Sequence, residues 1–175
     1  MKDFVVVFCL LVVTGCIGQT WAKSYPLIVE HNGEKKEELV IVDEEKNVEI
    51  FREYGSDAKT VADFDTGLAA IVHEERNACY ILPLDSNKFI TPEELKPILE
   101  SGKEIKQENG YNEYYTVAGG PIKNSMIVGE TIEQECEGKA IYWLKSGQAA
   151  DTVSPVKRGG CWEVCVFFVC LKVCD

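Results

Sequence analysis

Short apolar runs separated by polar turns dominate the chain after residue 22, and they predict mainly β-strands. Residues 27–29, 39–42 and 48–51 are rich in Val, Ile and Leu, with a polar turn at residues 43–47. Runs of this kind favour strands, because β-branched side chains pack well on a pleated surface. The beginning of the chain is therefore predicted to be rich in strands.

Two further apolar runs, residues 68–72 and 79–84, flank a charged bend at residues 73–77. A short connection brings consecutive strands side by side, so this pattern predicts an antiparallel pair. Residues 140–144 predict a final strand. The polar, Gly-containing stretch of residues 104–120 predicts a loop.

One segment carries clear signals for the start of a helix. Thr91 can cap the helix, Pro92 can occupy its first position, and Glu94 can complete a capping box. This helix is predicted to run to about residue 100, and residues 130–137 predict a second, shorter one. The pattern as a whole indicates an α+β fold with an antiparallel sheet and two helices.

The last fifteen residues combine four cysteines, spaced C-x3-C-x4-C-x3-C, with a composition typical of strands. A hairpin that places Cys165 opposite Cys170 also places Cys161 opposite Cys174. Side chains alternate between the two faces of a strand, so all four sulfurs lie on one face. The other face is wholly apolar and carries Trp162, Val164, Val166, Val169, Leu171 and Val173.

The same register pairs Glu163 with Lys172, an opposite-charge pair across the hairpin. Such a short, Pro-free, weakly charged segment aggregates easily through exposed strand edges. Lys157 and Arg158 precede it, in a stretch rich in Gly, Ser, Ala and Pro at residues 146–160. This dibasic pair predicts a processing site, since a protease needs exposed backbone. The alternative is a solvated charge pair.

Residues 1–22 have the pattern of a secretory signal, with a basic start, a short apolar run and Ala22 at the cut. An uncleaved signal-anchor is the alternative, although the run is short for a span of ~20 residues. Cys9 and Cys16 would leave with the signal, so six of the eight cysteines would remain. An even number of cysteines in a secreted chain predicts disulfides.

Composition limits the classes of function that the chain can have. The 46% apolar content suits a globular core, and the net charge of −11 argues against nucleic-acid binding. His73 stands in a charged bend, where a solvated turn is favoured over a catalytic base. The cysteine spacing of the tail is not a standard zinc pattern. We therefore predict no enzyme, metal or cofactor.

Three motifs resemble the BRICHOS domain family over residues 45–145. They are Asp63 within Ala-Asp-Phe-Asp, Cys79 opening Cys-Tyr-Ile-Leu-Pro-Leu, and Cys136 opening Cys-Glu-Gly-Lys-Ala-Ile-Tyr. The order of signal, linker, BRICHOS-like region, dibasic pair and Cys-rich segment is similar to precursors of marine-worm β-hairpin antimicrobial peptides. Arenicin and alvinellacin are examples of such peptides.

The resemblance implies a five-stranded sheet flanked by two helices, and a disulfide between Cys79 and Cys136. It further implies that Asp63 is a structural or pH-responsive residue and that the domain acts as a chaperone for its own tail. The ordinary reading of Asp63 is a loop carboxylate. The predicted organisation is a signal at residues 1–22, a propeptide linker at 23–44, a BRICHOS domain at 45–145, a cleavable linker at 146–158 and a hairpin peptide at 159–175.

The predicted function is a secreted host-defence precursor. Its partners would be its own C-terminal peptide, a processing protease and, after release, microbial membranes. The tail departs from Arg-rich hairpins, because its one basic residue, Lys172, is balanced by Glu163 and Asp175. Membrane binding would then depend little on anionic lipid. The alternative is an uncleaved extracellular or membrane-anchored BRICHOS protein whose tail is a structural strand.

Overall fold

The structure, a computed structural model, describes residues 22–31, 34–85, 89–102, 105–107, 111–147, 161–166 and 169–174. Of the predicted signal, only Ala22 lies within these ranges, and it is exposed. The dibasic pair Lys157 and Arg158 lies outside them. Only the backbone is described for a few strand residues, namely His31, Glu34, residues 105–107, Tyr111, Asn112, Cys165, Val166 and Val169. The predicted domain boundaries stay predictions.

In the described part of the chain, eleven strands form one sheet. They are β1 (Lys23–His31), β2 (Glu34–Asp43), β3 (Val48–Glu53), β4 (Ala58–Asp63), β5 (Leu68–His73), β6 (Ala78–Pro83), β7 (Ile105–Gln107), β8 (Tyr111–Val117), β9 (Ala140–Gly147), β10 (Cys161–Val166) and β11 (Val169–Cys174). Their spatial order is β10-β11-β8-β9-β6-β5-β4-β3-β2-β1-β7. The pairs β1–β7, β6–β9 and β8–β11 are parallel, and the other pairs are antiparallel.

Short turns build the antiparallel meander from β2 to β6. Asn47, Gly55, Gly67 and Asn77 adopt positive φ angles, one in each of the four connections. Gly reaches this region without a steric penalty, and Asn is among the few other residues that tolerate it. Each turn reverses the chain and sets the register of the next strand.

Two short helices are present in the described residues. The first, α1 (Pro92–Glu100), begins with the capping box of Thr91 and Glu94, as predicted, and Gly102 follows it at a φ of 63°. The second, α2 (Glu130–Glu135), follows a 3₁₀ turn at Ser125–Val128. Neither helix is long and apolar enough to cross a bilayer.

The predicted five-stranded antiparallel sheet is wrong, because the described residues alone form eleven strands in a mixed sheet. Part of the difference comes from residues 104–120, which were expected to form a loop but contain β7 and β8. Residues 111–117 are polar in composition, yet Tyr, Thr and Val are strong strand formers. The segment expected to be a linker, residues 23–44, contains β1 and β2.

The sheet has an apolar core on each face. The core that we call the α2 face packs against α2 and includes Val61, Val72 and Ile81. The opposite core, which we call the hairpin face, includes Val40, Phe51, Ile71, Tyr80 and Leu82, together with residues of α1 and of the strands β10 and β11. Successive side chains alternate faces, so each strand contributes to both cores.

Candidate functional site

The strands β10 and β11 form a hairpin, which we call the tail hairpin, in the predicted register. Cys161 lies opposite Cys174, and the two form a disulfide. Cys165 lies opposite Cys170, and Cys170 is disulfide-bonded. Glu163 faces Lys172 across the hairpin, so the expected charge pair also stands in register.

The tail hairpin extends the sheet by adding a strand to its edge. β11 runs parallel to β8, from the pair Val169–Tyr111 to the pair Cys174–Thr116. Backbone pairing of this kind is the strand-addition mode in which a sheet edge binds an extended segment. The docking strand β8 lies within residues 104–120, for which the sequence predicts a loop. The consecutive aromatic and β-branched residues at its end, Tyr114 to Val117, were the signal that could have revealed it.

The apolar face of the tail hairpin is buried on the hairpin face of the sheet. Val164, Leu171 and Val173 are 7%, 2% and 0% exposed and share one core with Phe51 and Ile71. The sheet curls so far that β10 approaches β3, with Cα atoms no more than 8 Å apart. The docking site thus combines one strand edge with one apolar face.

Trp162, at the open end of the tail hairpin, packs against residues in and beside the turn between β5 and β6. Its ring centroid lies 4.8 Å from that of His73, edge-on, and 5.2 Å from that of Tyr80. The Arg76 guanidinium carbon lies 5.4 Å from the Trp162 ring centroid, within cation–π range. The solvated turn predicted for His73 is wrong, because this side chain is 7% exposed and contacts Trp162. Its Nδ1 is 3.2 Å from Asp57 Oδ2.

The residues predicted to face a membrane face the sheet in the intact chain, as far as their side chains are described. Trp162, Val164, Leu171 and Val173 all pack into the hairpin-face core. Lipid could meet these side chains only after the hairpin had left the sheet. Membrane binding therefore stays a prediction for the released peptide.

Asp63 lies on the opposite side of the sheet, on the α2 face. Its Oδ1 accepts hydrogen bonds from the backbone N–H groups of Asp65, at 3.1 Å, and Thr66, at 3.0 Å, and so shapes the turn between β4 and β5. Gly129, just before α2, packs against this turn, where an added Cβ would come 2.5 Å from a Thr66 methyl carbon. Asp63 is 4% exposed, and its predicted response to pH stays a prediction.

The disulfide between Cys79 and Cys136 also lies on the α2 face, where it joins β6 to the end of α2. Lys59 on β4 adds an ion pair of 2.6 Å with Glu135 of α2. The structure therefore gathers Asp63 and these two cysteines around α2, and places the tail hairpin on the other face.

Among the described residues, five polar side chains are buried, and four of them lie on the hairpin face. They are Glu38, Glu49, Thr60 and His73. Glu49 is 1% exposed, and neither of its carboxylate oxygens has a hydrogen-bond partner in the described part of the chain. Burial without a partner disfavours the charged form and raises the pKa of Glu49 from 4.5 to about 8. The sequence reasoning did not single out Glu49.

Metal chemistry has no support among the described side chains, where no group of three or more His, Cys, Asp and Glu residues could hold an ion. The site described above consists of the β8 edge and the apolar hairpin face, against which the tail hairpin packs. A sequence profile of the BRICHOS domain matches residues 54–143. The chain belongs to the BRICHOS domain family.

The curated relatives of this BRICHOS protein include arenicin-1 and arenicin-2 from Arenicola marina. Each is 26% identical over 137 residues, which is 74% of this chain but 65% of the relative. Gastrokine-2 from Rattus norvegicus is 26% identical over 142 residues, 77% of this chain and 75% of the relative. No solved structure matches the chain.

The BRICHOS match begins after β3 and ends within β9. It includes the docking strand β8, both helices, Asp63 and the disulfide partners Cys79 and Cys136. The tail hairpin and the strand that carries Glu49 lie outside it. The site is therefore assembled from the BRICHOS region and from segments on both sides of it.

Proposed function

We propose that the chain is a secreted precursor whose BRICHOS domain holds the tail hairpin as an intramolecular client. The hairpin is then released as a peptide, from Gly159 to Asp175, by cleavage after Lys157 and Arg158. The relation to arenicin-1 and arenicin-2 supports the precursor role, and the disulfides suit an oxidising, extracellular route. The released peptide acts in host defence at microbial membranes.

The burial of the hairpin's apolar face carries this proposal. Val164, Leu171 and Val173 would be exposed on an isolated hairpin, and apolar surface is stabilised by about 25 cal/mol for each Å² removed from water. Pairing between β11 and β8 also covers a strand edge that would otherwise template aggregation. The domain thus protects both features through which such a peptide aggregates.

A second candidate is an uncleaved protein in which the hairpin is a permanent part of the sheet. One observation favours it, because the tail side chains belong to the same core as β2, β5 and α1 rather than to a separate cluster. In that case the tail stabilises the fold and is not a product.

Mass spectrometry of the material secreted by expressing cells separates the two candidates. We expect a peptide of residues 159–175 with two disulfides, and no such peptide from a variant with Lys157→Gln and Arg158→Gln. The double variant of Lys123→Gln and Lys145→Gln, at two exposed positions, removes the same charge and should leave release unchanged. Recovery of the intact chain alone would favour the second candidate.

The chaperone role needs its own measurement. The domain that remains after cleavage, residues 23–158, should slow the aggregation of reduced tail peptide at an equimolar ratio, because it offers the β8 edge and the hairpin face. Light scattering and a fibril-binding dye follow the reaction. No retardation at that ratio would refute the chaperone role, whatever the outcome of processing in cells.

A further inference from the structure

Glu49 occupies an unusual position for an acidic residue. It lies on β3 between the cross-strand neighbours Val42 and Ala62, both of which belong to the hairpin-face core. Among the described elements, α1 lies against β1 and β2, and strand β10 of the tail hairpin approaches β3. An ionised carboxylate here would be both desolvated and unpaired, which is costly.

We propose that Glu49 makes the attachment of the tail hairpin dependent on a proton. The docked state requires a neutral Glu49, and ionisation of this side chain favours departure of the hairpin, after which water can reach the carboxylate. This inference rests on the proposed function, since departure matters only when the linker is cut. Cleavage by itself does not free the peptide, because the pairing of β11 with β8 and the apolar contacts of the hairpin still hold it.

No cation in the described surroundings neutralises Glu49. On its own face, Lys23 stands two strands away in the register row of Glu49 and Val42, and its Nζ lies 3.5 Å from Glu100 Oε1. Glu38, Glu53 and His73 lie on the same face but further along the strands; Glu53 pairs with Lys36 at 2.9 Å, and His73 lies beside Asp57. From α1, Lys96 pairs with Glu44 and Glu100 lies 3.5 Å from Lys23. On the tail hairpin, the charged residues alternate with the buried ones and belong to the face turned away from the sheet; they are Glu163 and Lys172.

The direction of the pH effect follows from proton linkage. The docked state keeps a proton on Glu49 up to about pH 8, whereas a solvated carboxyl releases it near 4.5. Rising pH therefore weakens docking throughout this interval and has no further effect above it. If the free domain exposes Glu49 fully, the dissociation constant of the cut peptide rises by up to about fiftyfold between pH 6 and pH 8.

The test uses the chain from residue 23 with a site-specific protease sequence in place of residues 151–156. After cutting, the peptide stays beside its domain, and gel filtration measures the fraction that co-elutes between pH 5 and pH 9. This cut does not depend on whether cells process Lys157 and Arg158, so the inference and the proposed function can fail separately. We expect retention at pH 6 and progressive loss towards pH 8.

The Glu49→Gln variant should retain the peptide equally at both pH values, because the amide has the same shape and does not ionise. Glu45→Gln removes the same charge from the exposed turn before β3 and should behave like the wild type. His73→Gln and Glu38→Gln test the other buried groups of this face. The proposal is overturned by a pH-independent wild type, by a peptide lost at every pH, or by a Glu49→Gln variant that still releases the peptide as pH rises.

Discussion

Leu171→Ala tests whether the tail hairpin is held by its apolar face. Leu171 is 2% exposed in β11 and packs into the hairpin-face core. The substitution removes three carbon atoms, and at ~0.8 kcal/mol per buried methylene the lost transfer energy is about 2.4 kcal/mol. Incomplete collapse of the cavity adds to this, so the expected loss is about 2.5–5 kcal/mol.

Native-state hydrogen exchange measures this loss of stability directly in β11, the strand that carries the substitution. A decrease of 2.5 kcal/mol in the opening free energy raises the exchange rate of β11 amides by about seventyfold. If the hairpin is a client that undocks alone, peptides containing β11 lose protection and peptides containing β4 do not. If the hairpin is a permanent part of the fold, both lose protection together.

Glu163→Ala is the matched control, because Glu163 lies on the exposed side of the same hairpin. A surface substitution of this kind usually changes stability by no more than about 0.5 kcal/mol. Equal exchange rates of β11 in Leu171→Ala and Glu163→Ala would refute the docking contact on which the proposed function depends.

Three further predictions concern the domain itself. The wild-type free energy of unfolding, measured in urea, should fall by up to about 1.4 kcal/mol per pH unit between pH 4.5 and about 8, because the folded state holds a Glu49 proton that the unfolded state releases. A Glu49→Gln variant whose free energy of unfolding falls as steeply with pH would contradict this. Replacing Cys79 and Cys136 by Ala opens a crosslink of sequence separation 57 and should cost about 4 kcal/mol in urea unfolding. Asp63→Ala should cost about 1–3 kcal/mol, and Asp63→Asn clearly less, because only Asn keeps an acceptor for the turn; equal losses would show that those hydrogen bonds are unimportant.

Features that depend on neighbouring residues were readable from the sequence. The four cysteines of the tail set one hairpin register, because only that pairing places each cysteine directly opposite another. The start of α1 is also determined by residues close along the chain, since Thr91 and Glu94 form a capping box and Pro92 occupies the first helical position. In both cases the partners that determine the structure are close along the chain.

The tertiary structure decided where the tail hairpin docks. The polar composition of residues 104–120 predicts a loop, but β8 forms a strand between β9 and β11, because its backbone groups find partners on both sides. The sequence likewise shows Glu49 as one acidic residue among many. Its burial arises only when β2 and β4 flank it and distant segments cover the face. Local patterns encode strand and turn preference, whereas pairing between segments far apart in sequence depends on the whole sheet.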